Sequence, residues 1–264
     1  MKTRLITLIL VFSCLGLWAQ QNHLIVISKR NVGGQIYTTA KEFPKDWVKK
    51  HWDQSYNIHS VNFKKGEWFV VMNKKGGKKQ AYYFSPSNDI IKEKLQDGYK
   101  IQDNCPYVKG NKRGTFYVFT KVSANPQSLY YFSGEAGLFG YKPWKTLPDQ
   151  IKAGWKKDYR VDNARSMGMA DGRSYISLFM PKMQGNPPQI MRSRTEFPRD
   201  LINNKKSQGY FLSSICWDYY NDKWLVVMTK YNNMPPWTWL NYKNQKDQLN
   251  DYLTNQGYSI SGVY

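Results

Sequence analysis

The stretch EFPKDWVKKHWDQSYNIHSVNFKKGEWFVVMNKKGGKKQAY, from Glu42 to Tyr82, decides the fold because the rest of the chain repeats it with variation. It combines a Phe-Pro pair, an amphipathic segment, a tyrosine with an apolar residue two positions later, an apolar run that ends in lysine, and a glutamine before aromatic residues. The repeat tyrosine occurs at Tyr56, Tyr99, Tyr159, Tyr210 and Tyr258. Because units this short bury their apolar faces only against neighbouring units, the pattern predicts a single five-repeat domain.

Each unit predicts one helix and three strands. The amphipathic segments predict helices over residues 45–52, 89–96, 148–155, 198–205 and 246–254. Strand A begins at each repeat tyrosine, and strand B is the apolar run, whose composition is typical of a middle strand buried on both faces. Strand C opens at the glutamine, at Gln35, Gln80, Gln127 and Gln189, with Trp237 in the fifth position.

The link from strand B to strand C has a regular length. From the lysine that ends strand B to the start of strand C there are six or seven residues in all five cases, often with paired glycines or prolines between them. Tight links with such residues are typical of β-hairpins. We therefore interpret strands B and C as a hairpin.

The two ends of the chain are complementary. The N-terminal region opens with a strand B, Leu24–Ile27, and the C-terminus stops after the strand A that begins at Tyr258. This split predicts a mainly β fold with helices (α+β), closed into a five-unit, propeller-like ring whose first and last strands share one unit. An open solenoid is the alternative, but it would leave both end strands unpaired.

The N-terminal segment predicts export. Residues 1–19 combine Lys2 and Arg4 with an apolar run and Ala19, the layout of a signal peptide, so the folded domain is expected to span residues 20–264 in the periplasm or outside the cell. A lipoprotein anchored through Cys14 is a minor alternative. No other segment is apolar for long enough to cross a bilayer, so we do not expect an integral membrane protein.

The charge of the chain narrows the class of partner. Lys and Arg number 39 against 19 Asp and Glu, which gives a net charge of +20. Such an excess attracts nucleic acids, anionic lipid surfaces or acidic polysaccharides without choosing among them. Because export makes nucleic acid the less natural target, we expect an acidic polymer or a cell-surface glycan.

Two of the five units match each other over a longer series of residues. Two units share the series Phe-Pro, helix, Tyr-x-apolar, Trp-x-Val-Val-Met and Lys: Phe43–Pro44, Tyr56, Ile58, Trp68, Val70–Met72 and Lys74, and Phe197–Pro198, Tyr210, Leu212, Trp224, Val226–Met228 and Lys230. This series resembles a domain of unknown function found C-terminal to the kinase domain in plant casein-kinase-I-like kinases. The resemblance implies a shared fold and brings no catalytic residues, because the kinase motifs are absent here.

Three groups of residues are candidates for a binding site. The lysines that end strand B would form a ring of ammonium groups for a polyanion, although lysine also marks a strand end: Lys29, Lys74, Lys121, Lys182 and Lys230. Small or polar residues in the middle of strand A would line a central channel: Ser60, Asp103, Asn163 and Ser214. Aromatic residues outside the repeat pattern would lie at the surface: Tyr141 and Trp144, in an insertion at about 133–145, and Trp237 and Trp239.

The residues that enzymes need are scarce. The three histidines show no metal-ligand spacing, and Asp103 with Asp162 is the only carboxylate pair on strands A of adjacent units. Cys105 and Cys216 lie at equivalent positions of units that are not neighbours, so we expect two buried free thiols. We therefore expect no catalytic residues, no metal and no cofactor, and favour a non-enzymatic binding protein over a carbohydrate-binding or carbohydrate-active propeller (a lectin or glycoside hydrolase).

Overall fold

The computed structural model describes residues 23–30, 32–74, 79–110, 112–122, 129–136, 147–168, 174–183, 185–218 and 221–264. Within these ranges the fold is mainly β. The strands are β1 Leu24–Ser28, β2 Gln35–Ala40, β3 Tyr56–Lys64, β4 Glu67–Lys74, β5 Gln80–Phe84, β6 Tyr99–Lys109, β7 Lys112–Lys121, β8 Leu129–Ala136, β9 Asn163–Gly168, β10 Ser174–Pro181, β11 Gln189–Arg194, β12 Tyr210–Asp218, β13 Lys223–Lys230, β14 Trp237–Asn241 and β15 Ser259–Val263.

Five helices lie between these strands: α1 Lys45–Trp52, α2 Asn88–Gln96, α3 Leu147–Trp155, α4 Arg199–Ser207 and α5 Lys246–Thr254. All five predicted helices are confirmed, with α1 and α5 at the predicted bounds. Each helix begins with an aspartate in its first turn, which favours the positive end of the helix dipole.

The strands form five antiparallel sheets of three strands. In chain order we call them sheet 1 (β14-β1-β15), sheet 2 (β2-β4-β3), sheet 3 (β5-β7-β6), sheet 4 (β8-β10-β9) and sheet 5 (β11-β13-β12). The strand B segments, as predicted, are the middle strands. In sheet 2, strands β2 and β3 run parallel, α1 connects them, and β4 lies between them.

The predicted hairpin between strands B and C is wrong. Strand β4 does not pair with β5, which instead forms sheet 3 with β7 and β6. The link between β4 and β5 therefore carries the chain from one sheet to the next, and its length is regular because this step is repeated. In sheet 2 a hairpin joins strands A and B instead: Lys64 pairs with Glu67, and Lys65 and Gly66 between them have φ of 50° and 77°, as a two-residue hairpin turn requires.

The first and last strands pair, which confirms the predicted complementarity of the chain ends. Strand β1 lies between β14 and β15. At the end of this sheet the amide of Leu24 donates to the Tyr264 carbonyl at 2.8 Å, and the amide of Tyr264 donates to the Leu24 carbonyl at 2.9 Å. Sheet 1 is thus built from opposite ends of the sequence.

Strand A of sheets 1, 2, 3 and 5 contains a β-bulge at the same place. The extra residue is the third after the repeat tyrosine: His59, Gln102, Ser213 and Ser261. In sheet 4 the register also shifts by one residue, between the Tyr159–Lys182 bridge and the Asn163–Phe179 pair that opens β9. A bulge bends the strand and turns successive side chains toward the same side. The repeated bulge therefore sets how these strands meet their neighbours.

The buried apolar residues of the described ranges form five clusters, each filled from two sheets. In β4, Val70 and Met72 pack toward sheet 3, whereas Phe69 and Val71 pack toward sheet 1. The other clusters join sheets 3 and 4, sheets 4 and 5, and sheets 5 and 1. A middle strand is therefore apolar on both faces because each face meets a different neighbouring sheet.

The glutamine that opens strand C links three of the sheets to the preceding one. The side chain of Gln80 accepts from the Ile58 amide at 2.6 Å and donates to the Ile58 carbonyl at 2.9 Å. Trp52 Nε1 donates to the same oxygen, and the Gln80 amide also donates to Thr120. Gln80 thus satisfies both backbone groups of a buried residue that lies beside the bulge of sheet 2.

Two further glutamines repeat this contact. Gln189 bonds both backbone groups of Val161 and receives Trp155 Nε1, and Gln35 bonds both backbone groups of Ile260. The fifth position differs: Trp237 donates a single hydrogen bond to the Tyr210 carbonyl. Gln127, predicted to open the remaining strand C, lies outside the described residues. We call Gln35, Gln80 and Gln189 the glutamine clamps.

Replacing Gln80 with methionine should lower the free energy of unfolding by about 2–4 kcal/mol, because the amide and carbonyl of Ile58 then lose their partners. The control is Gln96→Met on the exposed surface of α2, which should change stability by about 0.5 kcal/mol or less. Urea denaturation of the three proteins measures both effects. A loss no larger for Gln80→Met than for the control would contradict the clamp.

Candidate functional site

The candidate anion-binding lysines lie at one end of the sheets. Because strand A begins at the repeat tyrosine and strand B ends opposite it, Tyr56 pairs with Lys74 and Tyr99 with Lys121. Tyr159 with Lys182 and Tyr210 with Lys230 repeat this pairing. In sheet 1, Lys29 follows the pair of Ser28 and Ser259. All five lysines are exposed, and we call this end of the sheets the tyrosine end.

Four of these lysines lie over the ring of the paired tyrosine. The ammonium groups of Lys74, Lys121, Lys182 and Lys230 lie 5.1–5.9 Å from the ring centroids. Lys121 also donates to the Asp97 carbonyl. Exposed cation–π contacts contribute only about 0.5–1 kcal/mol, so they orient the ammonium groups and leave their charge accessible to an anion in solvent.

The helices add charge to the same end. Because each helix returns the chain to the start of strand A, its C-terminus lies at the tyrosine end and its N-terminal aspartate at the opposite end. Lysines occupy the last turns of four helices: Lys49, Lys50, Lys94, Lys152, Lys205 and Lys206. Asp53, Asp97 and Asp158 follow three of the helices and offset part of this charge. The tyrosine end is therefore basic overall, and the opposite end carries the first-turn aspartates.

The predicted channel residues do come together, but they do not line an open channel. Ser60, Asp103, Asn163 and Ser214 are all 5% exposed or less. Ser60 Oγ donates to Asp103 at 2.9 Å, Asn163 Nδ2 donates to the other oxygen of Asp103, and Ser214 Oγ bonds the backbone of Ala164. Strands A approach closely enough for these side chains to bond one another, which removes them from solvent.

Arg165 completes this buried centre and was missed in the sequence. Its guanidinium lies 3.3 Å from Asp103 Oδ1 and donates to the Val61 carbonyl at 2.6 Å and to Asn62 Oδ1 at 2.8 Å. The only available signal was its position, six residues after Tyr159, where two other units place cysteine. A buried ion pair of this kind fixes the neighbours that bond it more than it adds net stability.

Asp103 is held as a carboxylate by its surroundings. Burial raises the pKa of Asp103, and the Arg165 charge with hydrogen bonds from Val61, Ser60 and Asn104 offsets part of that rise. Because the neighbouring polar groups donate to both oxygens, the geometry favours the ionised form. A carboxylate enclosed in this way has no open side from which to protonate or attack a substrate, which speaks against a catalytic pair with Asp162.

His23 lies beside this centre. Its Nδ1 is 3.2 Å from Asn62 Nδ2, and the residue is 4% exposed. Burial, with the charges of Lys64 and Arg165, lowers the pKa of His23 to about 3. His23 is therefore neutral in the folded protein over the ordinary pH range.

The two cysteines are free and buried, as predicted. Burial raises the pKa of Cys105 to about 12 and also raises the pKa of Cys216. Both thiols are therefore protonated near neutral pH and are poor nucleophiles.

One of the predicted surface aromatics is not at the surface. Trp237 is 4% exposed and packs against Phe211, because it replaces a clamp glutamine at the junction of sheets 5 and 1. Trp239 is half-buried between Phe197 and the Arg199 guanidinium. Tyr141 and Trp144 lie outside the described residues; of the predicted insertion, 133–136 extend β8.

The described residues show no group of three or more His, Cys, Asp or Glu side chains able to hold a metal ion. No helix in the described ranges combines the length and apolar character that a membrane span needs.

Residues 10–109 match a family described as "Domain of unknown function (DUF7477)", and this range includes β1, sheet 2 and β5 with β6 of sheet 3. No curated protein matches the chain. The resemblance to the plant kinase-associated domain stays a prediction.

Acid should destabilise the protein partly through His23. Its pKa is about 3 when folded and near 6.5 when unfolded, so below pH 6.5 the unfolded state binds a proton that the folded state does not. The stability lost between pH 7 and pH 4 should be smaller by about 2–3 kcal/mol in His23→Gln than in the wild type. Urea denaturation at both pH values measures this, with His51→Gln as the control. An unchanged pH dependence would refute the neutral buried histidine.

Proposed function

We propose that the protein is an exported, non-enzymatic binding protein that presents its tyrosine end to an acidic partner, such as an anionic polysaccharide or the cell-envelope surface. The observation that carries the proposal is the concentration of lysines at one end. Five exposed strand-end lysines and the last-turn lysines of four helices lie at the tyrosine end, whereas the exposed lysines of the opposite end lie among the first-turn aspartates of all five helices.

The mode of binding follows from the exposure of these lysines. Each exposed ammonium contributes little against a single anion in water, but several held at fixed positions act together on one polymer. Such binding releases counterions and weakens steeply as salt is added. The segment 1–19 would direct export, with a lipid anchor at Cys14 as the variant form.

We also propose that the five sheets close into a propeller-like ring, which would place the five lysines around one face. Three features support it. Strand β1 pairs with β15, apolar clusters join sheet 5 to sheet 1 and sheet 1 to sheet 2, and the Tyr264 hydroxyl donates to the Ser213 carbonyl at 2.9 Å.

Deleting residues 258–264 should abolish the cooperative unfolding transition, because β1 loses a partner and two sheet junctions lose their apolar contacts. A circular permutant, with residues 264 and 23 joined by a short linker and new ends between Gly185 and Asn186, should melt like the wild type. Thermal melting followed by circular dichroism tests both proteins. A melting temperature unchanged by the deletion would contradict closure.

Retention on a heparin column across a salt gradient tests the basic end. The test variant changes Lys29, Lys74, Lys121, Lys182 and Lys230 to Gln. The control changes five exposed lysines at the opposite end of the sheets, Lys41, Lys45, Lys223, Lys243 and Lys246, to Gln. Both variants lose the same charge, so a difference between them reports position.

The test variant should elute at clearly lower salt than the control, because its changes remove the charges that face the polymer. The slope of log affinity against log salt concentration should also be shallower, by an amount that corresponds to the loss of several ionic contacts. Equal elution of the two variants would show that only net charge matters, and the proposed binding end would then be wrong.

A further inference from the structure

A pocket of about 450 Å³ opens at the tyrosine end, between sheets 1 and 2. Lys29 and Arg30, after β1, form one side, and Leu253, Tyr258 and Ser259, from the end of α5 and the start of β15, form the other. Val32, Gly34 and Gln35, before and at the start of β2, and Gly257 also line it. This volume is within the range of about 300–1,000 Å³ typical of small-ligand sites.

The walls of the pocket are fixed by backbone contacts. Gln35 clamps both backbone groups of Ile260, and the Lys29 amide donates to the Pro236 carbonyl at 2.8 Å. Gly33 has φ of 72° and lies so close to the Lys74 carbonyl that a Cβ would be 3.1 Å from it. The link between β1 and β2 therefore needs glycine to follow this path, and the path leaves the pocket open.

In the described part of the chain, the two cations of this pocket, Lys29 and Arg30, do not lie over a tyrosine ring as the other strand-end lysines do. The other four strand-end lysines lie over their tyrosines, but among the described residues the Lys29 ammonium makes no such contact with Tyr258. Arg30 reaches the Met234 sulfur at 3.8 Å, and sulfur is a weak acceptor. Both side chains are exposed, and no carboxylate lines the pocket.

The opposite side of the pocket is aromatic and apolar. Tyr258 is half-buried and packs edge-on against Tyr252, with ring centroids 4.9 Å apart. Leu253 continues this surface. A held tyrosine ring offers a flat apolar face at little entropic cost, and its hydroxyl provides a polar edge. The pocket thus combines two cations with a stacking surface.

We propose that this pocket binds one acidic sugar residue, a pyranose ring carrying a carboxylate or sulfate. Lys29 and Arg30 would bind the anionic group, and the sugar ring would lie against Tyr258. This inference rests on the proposed function: the pocket would hold one residue of the polymer that the basic end attracts, and would give the end a preference for acidic glycans over other polyanions.

A sulfated uronate disaccharide prepared from heparin is the probe, and isothermal titration calorimetry measures its binding to the purified protein. The test variant is Lys29→Gln with Arg30→Gln. The matched control is Lys223→Gln with Lys243→Gln, which removes the same charge from exposed lysines at the opposite end of the sheets. We expect the test variant to bind the disaccharide about tenfold more weakly and the control to bind within about twofold of the wild type.

Two further probes identify the anionic group. Glucuronic acid carries only a carboxylate and N-acetylglucosamine 6-sulfate only a sulfate, and the one that competes with the disaccharide defines the group bound. Neutral cellobiose should not compete. Competition by cellobiose equal to that of the acidic sugars would overturn the role of the cations.

The outcomes separate this inference from the proposed function. Equal weakening in the two variants, or no disaccharide binding by a protein that heparin still retains, would overturn the pocket and leave the basic end standing. No retention on heparin and no disaccharide binding would overturn both. Loss confined to the Lys29 and Arg30 variant supports the pocket.

Discussion

The structure depends on the bond between a glutamine side chain and the backbone of a neighbouring sheet. A three-stranded sheet with two apolar faces cannot remain alone in water, and apolar packing by itself does not fix how two sheets are set against each other. The bulge in strand A locally disrupts the regular ladder, and beside it Gln80 and Gln189 engage both backbone groups of Ile58 and Val161. The amide geometry then sets the position of each sheet relative to the next, and Trp52 and Trp155 tie the preceding helix to the same point.

A repeated construction also explains where charge accumulates. Because every helix runs in the same direction relative to its sheet, a residue preference at either helix end is repeated at the same end of the molecule. Aspartate in the first turn and lysine in the last turn each favour the helix dipole locally. Repetition turns this local preference into a basic end and an opposite end with aspartates.

The five units are not identical, and two of their differences lie at the buried centre and at the surface of sheet 1. The buried centre holds one Asp103–Arg165 ion pair, although the equivalent positions in other units are serine, asparagine, glycine, cysteine or tyrosine. A fully symmetric centre would bring like groups together, which charged residues cannot tolerate. At the surface, sheet 1 departs from the rule that lysine lies over tyrosine, and the pocket beside Lys29 is found there.

The sequence by itself determined the helices, the three strands of each unit and the pairing of the chain ends, because these follow from local periodicity and from counting repeats. It also placed the five lysines at strand ends and the two cysteines in the core. It did not decide which sheet strand C joins, since a spacing of six or seven residues from the lysine to strand C fits a hairpin and a step to the next sheet equally well. It could not show that Trp237 is buried, that Asp103 is enclosed by Arg165, or that Lys29 borders a pocket. Those facts come from side chains far apart in sequence, and only the tertiary structure brings them within reach of one another.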